Sequence, residues 1–152
     1  MLQESILLTQ LRHLLNKEDW LISNLSNAAA AIYEQMSGIN WAGFYILKGS
    51  SLWLGPFAGK PACVRIPVGR GVCGTAAAQQ CTQVVEDVHQ FPGHIACDNA
   101  SNSEIVVPIF YEGKVVAVLD IDSPLYNRFG IREKEEMEAV AALVETVWQP
   151  MW

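Results

Sequence analysis

The sequence predicts an α+β protein, in which helices pack against a mainly antiparallel sheet. Three observations predict this class. An amphipathic helical pattern runs from Asp19 to Met36, aromatic and β-branched runs separated by short turns fill the middle, and a second helical pattern closes the chain. The 152 residues contain no repeat, low-complexity tract or long linker, so we expect one domain over residues 1–152.

Each element follows from a local pattern. The N-terminal helices are expected within about residues 1–37, with Ser37-Gly38 as the stop, and an acidic-to-apolar pattern predicts the closing helix at about 131–148. "NWAGFYIL" and "SLWLGPF" flank Lys48-Gly49-Ser50, which predicts a β-hairpin. Further strands are predicted at "CVRIPV", "TQVVED", "SEIVVPIFY" and "KVVAVLDID".

Composition excludes some classes of partner. The net charge is −6 without a cluster of Lys or Arg, which argues against nucleic acid as a partner. No apolar run approaches the roughly 18 residues of a membrane span, and the first residues lack the pattern of a secretion signal. We therefore expect a cytoplasmic protein whose partners are small molecules or proteins.

The stretch "GRGVCGTA" contains glycines at the G-x-G-x-x-G spacing of a dinucleotide loop. Only "TAAAQQ" is available for a helix before the next predicted strand, whereas a parallel crossover needs about a dozen residues or more. Pro67 also removes a donor from the strand that would feed such a loop. The context favours a tight glycine turn, formed by Gly69, Gly71 and Gly74, that presents Cys73.

Four cysteines occur without a C-x-x-C pair, at positions 63, 73, 81 and 97. Their simplest interpretation is as small buried apolar residues. Cys97 differs because it lies in a polar segment with His89 and His94. This grouping matches no common tetrahedral metal set, although a metal site remains an alternative, and it also fits an exposed, reactive thiolate.

Alternation along the first predicted strand places Trp41, Gly43 and Tyr45 on one face. Two aromatic rings beside a residue without a side chain predict a shallow trough suited to a sulfur atom or a methyl group. Two aromatic residues alone favour the simpler alternative, that this face packs under a helix.

The same alternation places Asp120 and Asp122 on one face of an otherwise apolar strand, and Glu104 begins the neighbouring strand. Adjacent buried acids require a cation, a metal ion or a shared proton. The alternative is a pair of acids at the strand end that solvent screens.

The motifs "NWAGFY", "LGPFAGKPAC", "RIPVGRGVCGTA", "DVHQFPGHIACDNASNSEIVVPI" and "VLDIDSP" together resemble the free methionine-(R)-sulfoxide reductases, enzymes built on a single GAF domain. The resemblance covers about residues 40–129. It implies a sheet of about six antiparallel strands with helices on both sides. It also implies thiol-dependent reduction of free L-methionine-(R)-sulfoxide through a cysteine sulfenic acid and an intramolecular disulfide.

The resemblance implies residue roles. Cys97 matches the nucleophile, Cys63 the cysteine that resolves it, and Cys73 a third redox cysteine, whereas Cys81 lies outside the motifs and is expected to be a buried thiol. The matching substrate pocket comprises Trp41, Tyr45, Glu104, Asp120 and Asp122. Because crowded acids cannot all ionise at ordinary cost, Glu104 is the candidate proton donor.

The resemblance further implies no resident cofactor or metal, an external dithiol reductant such as thioredoxin, and a homodimer. A non-enzymatic GAF sensor for a small molecule is the alternative function, because fold does not fix activity.

Overall fold

The structure is a computed structural model that describes residues 4–95 and 100–151. Its helices are α1 (Ile6–Leu14), α2 (Leu21–Gln35), α3 (Gly71–Gln79) and α4 (Ile131–Thr146). Its strands are β1 (Trp41–Lys48), β2 (Ser51–Gly59), β3 (Arg65–Pro67), β4 (Gln83–Val85), β5 (Ser103–Tyr111) and β6 (Lys114–Ser123). No helix of the described ranges combines the length and apolarity that crossing a membrane requires.

The strands form one antiparallel sheet in the order β3-β2-β1-β6-β5-β4, which confirms the predicted fold class. The two edge strands, β3 and β4, have only three residues each. Short edges limit pairing with other chains, and Pro67 is tolerated at the end of β3 because an edge residue needs no second ladder partner.

Alternation along β1 divides the sheet into two faces. Ala42, Phe44 and Ile46 point into a core that α1, α2 and α4 supply, and we call this side the helix-covered face. It also takes Ile105, Val107 and Ile109 from β5, and Ala117, Leu119 and Ile121 from β6.

Trp41 and Tyr45 point to the opposite side, which we call the α3 face because α3 packs there on β5 and β6. Apolar residues of α3, including Val72 and Ala76, form a smaller core with both rings. Glu104, Asp120 and Asp122 lie on this face at one end of the sheet, where α3 begins.

Helix α3 starts earlier than the sequence predicts. It begins at Gly71, so Cys73 lies in its first turn and not in a glycine turn. Gly69 and Gly71 have φ values of +91° and +62°, which favour glycine, and they form the bend that leads into the helix. Gly74 lies inside α3, where an added Cβ would come within 2.5 Å of the Pro67 carbonyl oxygen, so its role is close packing.

The prediction that Cys81 is buried is wrong, because the structure exposes this thiol. Helix α3 ends at Gln79, and Gln80 adopts a left-handed conformation that turns the chain away from the core. Cys81 then lies beside the side chains of Gln79 and Gln83, in a polar surface turn.

Candidate active site

A cavity of about 50 Å³ lies on the α3 face at the start of α3. The structure brings to it all five residues predicted for the substrate pocket, together with Cys73. The described lining residues are Trp41, Tyr45, Ala62, Ile66, Gly71, Val72, Cys73, His94, Ile95, Ser101, Glu104, Asp120 and Asp122.

Strand register brings the three acids together. Glu104 on β5 lies opposite Asp122 on β6, and Asp120 lies opposite Gly43 on β1. Glu104 is 8% exposed and Asp120 is 5% exposed, whereas Asp122 is half-buried. The alternative of two solvent-screened acids is therefore wrong for Asp120, and we refer to Glu104, Asp120 and Asp122 as the carboxyl cluster.

The carboxyl cluster shares protons because of its burial. Burial raises the pKa of Glu104 well above its usual range, and the charges of Asp120 and Asp122 raise it further. Burial also raises the pKa of Asp120, although hydrogen bonds from Glu104 and Cys73 oppose that increase. In both residues burial, the largest cause, favours the protonated form of the carboxyl group.

Cys73 is a buried thiol directly beside this cluster. Its Sγ donates to Glu104 Oε2 across 3.9 Å. Burial raises the pKa of Cys73 well above its usual value, and the charges of Asp120, Glu104 and Asp122 add to that increase. Cys73 is therefore a neutral thiol at neutral pH, even though the start of a helix favours a thiolate.

The aromatic wall of the site consists of Trp41 and Tyr45, and Phe57, which is not a lining residue, packs against it. The rings of Trp41 and Tyr45 stack with centroids 5.8 Å apart, and Phe57 stacks on Trp41 at 5.3 Å. A Cβ on Gly43 would lie 2.4 Å from Phe57 Cβ and 2.7 Å from Trp41 Cη2. A trough above Gly43 is therefore wrong, because alternation fixes the face of a side chain but not its rotamer, and the alternative that this face packs under a helix is confirmed by α3.

The polar atoms of this wall hold the segment that carries Cys63. Trp41 Nε1 donates to the Lys60 carbonyl oxygen at 3.1 Å, and Tyr45 Oη donates to the Cys63 carbonyl oxygen at 2.9 Å. Burial, and then the charge of Asp120, raise the pKa of Tyr45, so its phenol remains a donor. Cys63 is disulfide-bonded, whereas Cys73 and Cys81 carry free thiols.

Three residues near the predicted nucleophile in the sequence line the cavity. These residues are His94, Ile95 and Ser101. Cys97 lies outside the described residues, so its role stays a prediction, as does the alternative metal set that includes it. The other histidine of that set, His89, is exposed and contacts Asp87 Oδ1 at 2.8 Å.

Sequence reasoning missed two contributors. Phe57 packs against the aromatic wall because it lies opposite Gly43 in the β1–β2 register. The start of α3 also faces the cavity through Gly71, Val72 and Cys73, and the side chain of Arg70, its N-cap residue, makes no capping hydrogen bond. The free N–H groups at the start of a helix attract anions. The glycine-rich motif was the feature of the sequence that could have indicated this helix start.

The sheet order, the four helices and the cavity under α3 define the class of protein. The GAF domain model matches residues 6–148, so the chain is a GAF domain.

Particular relatives define its place more narrowly. A free methionine-R-sulfoxide reductase of Escherichia coli is 52% identical over 130 residues, which are 86% of this chain and 79% of that protein. The reduced form of fRMsr from Staphylococcus aureus is 51% identical with a TM-score of 0.90, covering 93% of this chain and 92% of that one. Free methionine-R-sulfoxide reductase from Neisseria meningitidis, solved in complex with its substrate, is 39% identical with a TM-score of 0.90 and covers 97% and 94%. The chain belongs to the family of free methionine-R-sulfoxide reductases.

Proposed function

We propose that this protein reduces free L-methionine-(R)-sulfoxide to L-methionine with electrons from thiols. The observation that carries the proposal is the carboxyl cluster beside an aromatic wall, in a cavity with no Lys or Arg among its described lining residues. The buried acids Glu104 and Asp120, whose neighbours in the described lining include His94 but no Lys or Arg, favour a ligand that brings its own positive charge. The α-ammonium group of a free amino acid is such a charge, and the named relatives support this substrate.

Substrate recognition divides among three parts of the cavity. The half-buried Asp122 and the neighbouring Asp120 accept hydrogen bonds from the ammonium group. The N–H groups at the start of α3 bind the substrate carboxylate. The ring of Trp41 contacts the methyl group next to the oxidised sulfur, as an apolar and polarisable surface.

We assign the first chemical step to Cys97 and Glu104. The Cys97 thiolate forms a bond to the sulfoxide sulfur while Glu104 donates a proton to the sulfoxide oxygen. Transfer of that oxygen to Cys97 releases methionine, so the substrate gains two electrons and Cys97 becomes a sulfenic acid. The raised pKa of Glu104, caused first by its burial, supports its role as the donor, because burial favours the protonated form of the carboxyl group.

The second step regenerates the enzyme. The Cys63 thiol attacks the Cys97 sulfenic acid, a disulfide forms, and water leaves. Two observations support this pairing: Cys63 is disulfide-bonded, and Cys73 and Cys81 are free. An external dithiol such as thioredoxin then reduces the disulfide and is itself oxidised. Cys73, a neutral buried thiol beside Glu104, is the reserve partner for an alternative disulfide.

Preference for the free amino acid follows from the same electrostatics. A methionine sulfoxide residue within a peptide has no α-ammonium group, so it would leave buried carboxylates unpaired. Such a loss discriminates by about 10⁴ where a buried polar site is left without its partner. Comparable turnover of a methionine sulfoxide peptide would contradict the assignment of these acids.

The deciding experiment measures dithiothreitol-dependent consumption of racemic free methionine sulfoxide, with the two sulfur epimers separated by chromatography. We expect half of the racemate to be consumed, all of it the R epimer. The Cys97→Ser variant is expected to consume none, whereas Cys81→Ser, which removes an exposed thiol remote from the cavity, is the matched control with full activity.

Two results would overturn the proposal. Undiminished turnover by Cys97→Ser would show that Cys97 is not the nucleophile. Binding of methionine sulfoxide without turnover by the wild type would favour the non-enzymatic sensor. After one turnover without reductant, peptide mapping is expected to show a Cys63–Cys97 disulfide.

A further inference from the structure

Three side chains on the cavity wall have ligand atoms close enough to share one ion. One atom each from Cys73, Glu104 and Asp120 lies within 4.8 Å of the other two, and all three residues are buried. Cys73 Sγ and Glu104 Oε2 are 3.9 Å apart. Around a tetrahedral zinc ion, sulfur and oxygen ligands lie roughly 3.5 Å apart, so a shift of a few tenths of an ångström closes this pair.

A second observation concerns Asp120. Its Oδ1 atom is buried and has no hydrogen-bond partner among the described residues, although the side chain is only 5% exposed and lines the cavity. A buried carboxylate oxygen without a partner is costly, because its hydration is lost without replacement. The described lining supplies no Lys or Arg to this oxygen. A cation in the cavity would satisfy it.

We infer that the cavity is also a binding site for a thiophilic divalent cation, of which Zn²⁺ is the representative, held by Cys73, Glu104 and Asp120. One sulfur and two carboxylate oxygens form a borderline-soft set that suits Zn²⁺ and Cd²⁺. Three ligands that include a sulfur do not suit Ca²⁺ or Mg²⁺, which prefer six or more oxygen ligands. On binding, Cys73 and Glu104 release their protons to solvent, one sulfur–metal bond and the oxygen–metal bonds form, and no oxidation state changes.

The ion would occupy the carboxyl groups that, in the proposed function on which this step rests, bind the substrate's ammonium group. Metal and substrate would therefore exclude each other. The cavity would then act as an inhibitory metal site, in which exposure to zinc shuts off sulfoxide reduction without oxidising a cysteine.

The binding test uses the oxidised, metal-stripped protein, in which Cys63 is held in its disulfide and is unavailable as a ligand. Cd²⁺ is titrated while ultraviolet absorption reports thiolate-to-metal charge transfer. We expect one equivalent to produce the band in the wild type and in the Cys81→Ser control. Cys73→Ser should abolish the band, and Asp120→Asn should weaken the affinity for Cd²⁺ at least tenfold.

Zn²⁺ is then titrated in competition with a chromophoric chelator, and thiol alkylation is followed by mass spectrometry. Protection of Cys73, but not of the exposed Cys81, supports the site even if one of the variants folds poorly. No charge-transfer band in the wild type, an unchanged band in Cys73→Ser, or equal alkylation of Cys73 with and without Zn²⁺ would each overturn the inference.

Competition separates this inference from the proposed function. The Cys63→Ser, Cys97→Ser double variant keeps Cys73 and Cys81 and cannot turn over, so free methionine sulfoxide is added to its Cd²⁺ complex. Loss of the band supports mutual exclusion at one cavity. If the band persists, the inhibitory role is contradicted but the metal site is not. If the wild type reduces the sulfoxide but binds no Cd²⁺, the metal site is contradicted and the proposed function is not.

Discussion

The two faces of the sheet use the same strands for opposite purposes. Along β5, Glu104 points to the α3 face and the next residue, Ile105, points to the helix-covered face. Along β6, Asp120 and Leu119 divide in the same way. Three helices cover one face, whereas on the other face α3 packs together with residues such as Val88 and Phe91, and a cavity lies at its first turn.

The difference between the faces shows that residues adjacent in a strand serve different purposes: one packs in the core and stabilises the fold, and the next lines the cavity. Each fully buried Leu or Ile on the helix-covered face contributes about 1.5–3 kcal/mol through burial. The carboxyl cluster opposes folding at neutral pH, because its members lose hydration and crowd like charges. The comparison therefore predicts that neighbouring residues respond to substitution in different assays.

The largest expected effect is on activity, from the Glu104→Gln variant. Glutamine preserves the shape of the side chain and its ability to donate a hydrogen bond, but it cannot transfer a proton to the sulfoxide oxygen. We expect kcat/KM to fall roughly 10²–10⁴-fold, the usual contribution of a general acid. Steady-state kinetics with free methionine-(R)-sulfoxide measure it.

The matched control is Ile105→Val, which shortens the adjacent residue on the opposite face. This variant should lose about 0.5–1.5 kcal/mol of unfolding free energy and keep its kcat/KM. If Glu104→Gln kept activity within a factor of ten, the division between the faces would fail for β5.

The next effect is on stability, from Leu119→Ala. Leu119 is 0% exposed on the helix-covered face, so truncation leaves a cavity and should cost about 2–5 kcal/mol of unfolding free energy in urea denaturation. Its neighbour supplies the contrast: Asp120→Asn should be no less stable than the wild type at neutral pH, because it removes a buried charge. A larger loss from Asp120→Asn than from Leu119→Ala would reverse the assignment of the two faces.

A smaller effect is the pH dependence of stability. Burial raises the pKa of Glu104 and of Asp120 above their ordinary values of 4.5 and 3.8, so the folded protein holds protons that the unfolded chain releases. The contribution of these groups to unfolding free energy is greatest below those values and is lost as pH rises through the folded-state pKa. One such proton gives a slope of about 1.4 kcal/mol per pH unit.

Urea denaturation between pH 4 and 8 measures this slope. Glu104→Gln should flatten it, whereas Leu119→Ala should lower stability by the same amount at every pH. Equal slopes in the wild type and Glu104→Gln would show that Glu104 is not the proton holder.

The assignment of many residues to the two faces of the sheet could be predicted from the sequence, because the alternation of side chains along a strand is a property of the backbone. The positions of Trp41, Tyr45, Asp120 and Asp122 followed from a period of two, and the β-hairpin followed from its turn residues. The sequence also placed Glu104 at the start of the strand beside the aspartates, and the pairing of β5 with β6 confirms that position. These properties require only local chemistry.

What the sequence could not provide depends on tertiary packing. Trp41 and Phe57, which lie on neighbouring strands, together fill the space above Gly43. The close approach of Gly74 in α3 to the Pro67 carbonyl oxygen is likewise a tertiary contact. The depth at which Asp120 is buried depends on the position of α3, which no local pattern encodes.

The smallest expected effect tests the boundary of the α3 face, through the two free cysteines. Cys73 in the first turn of α3 is 4% exposed, whereas Cys81, just beyond the end of the same helix, is exposed. Cys81→Ser should change unfolding free energy by no more than about 0.5 kcal/mol, as other surface substitutions do. In the wild type, iodoacetamide should modify Cys81 well before Cys73, because Cys73 is both buried and protonated. Mass spectrometry of a timed alkylation measures the order of modification. Faster modification of Cys73 would mean that α3 opens, so that the cavity is not closed enough to raise the pKa of the acids by burial.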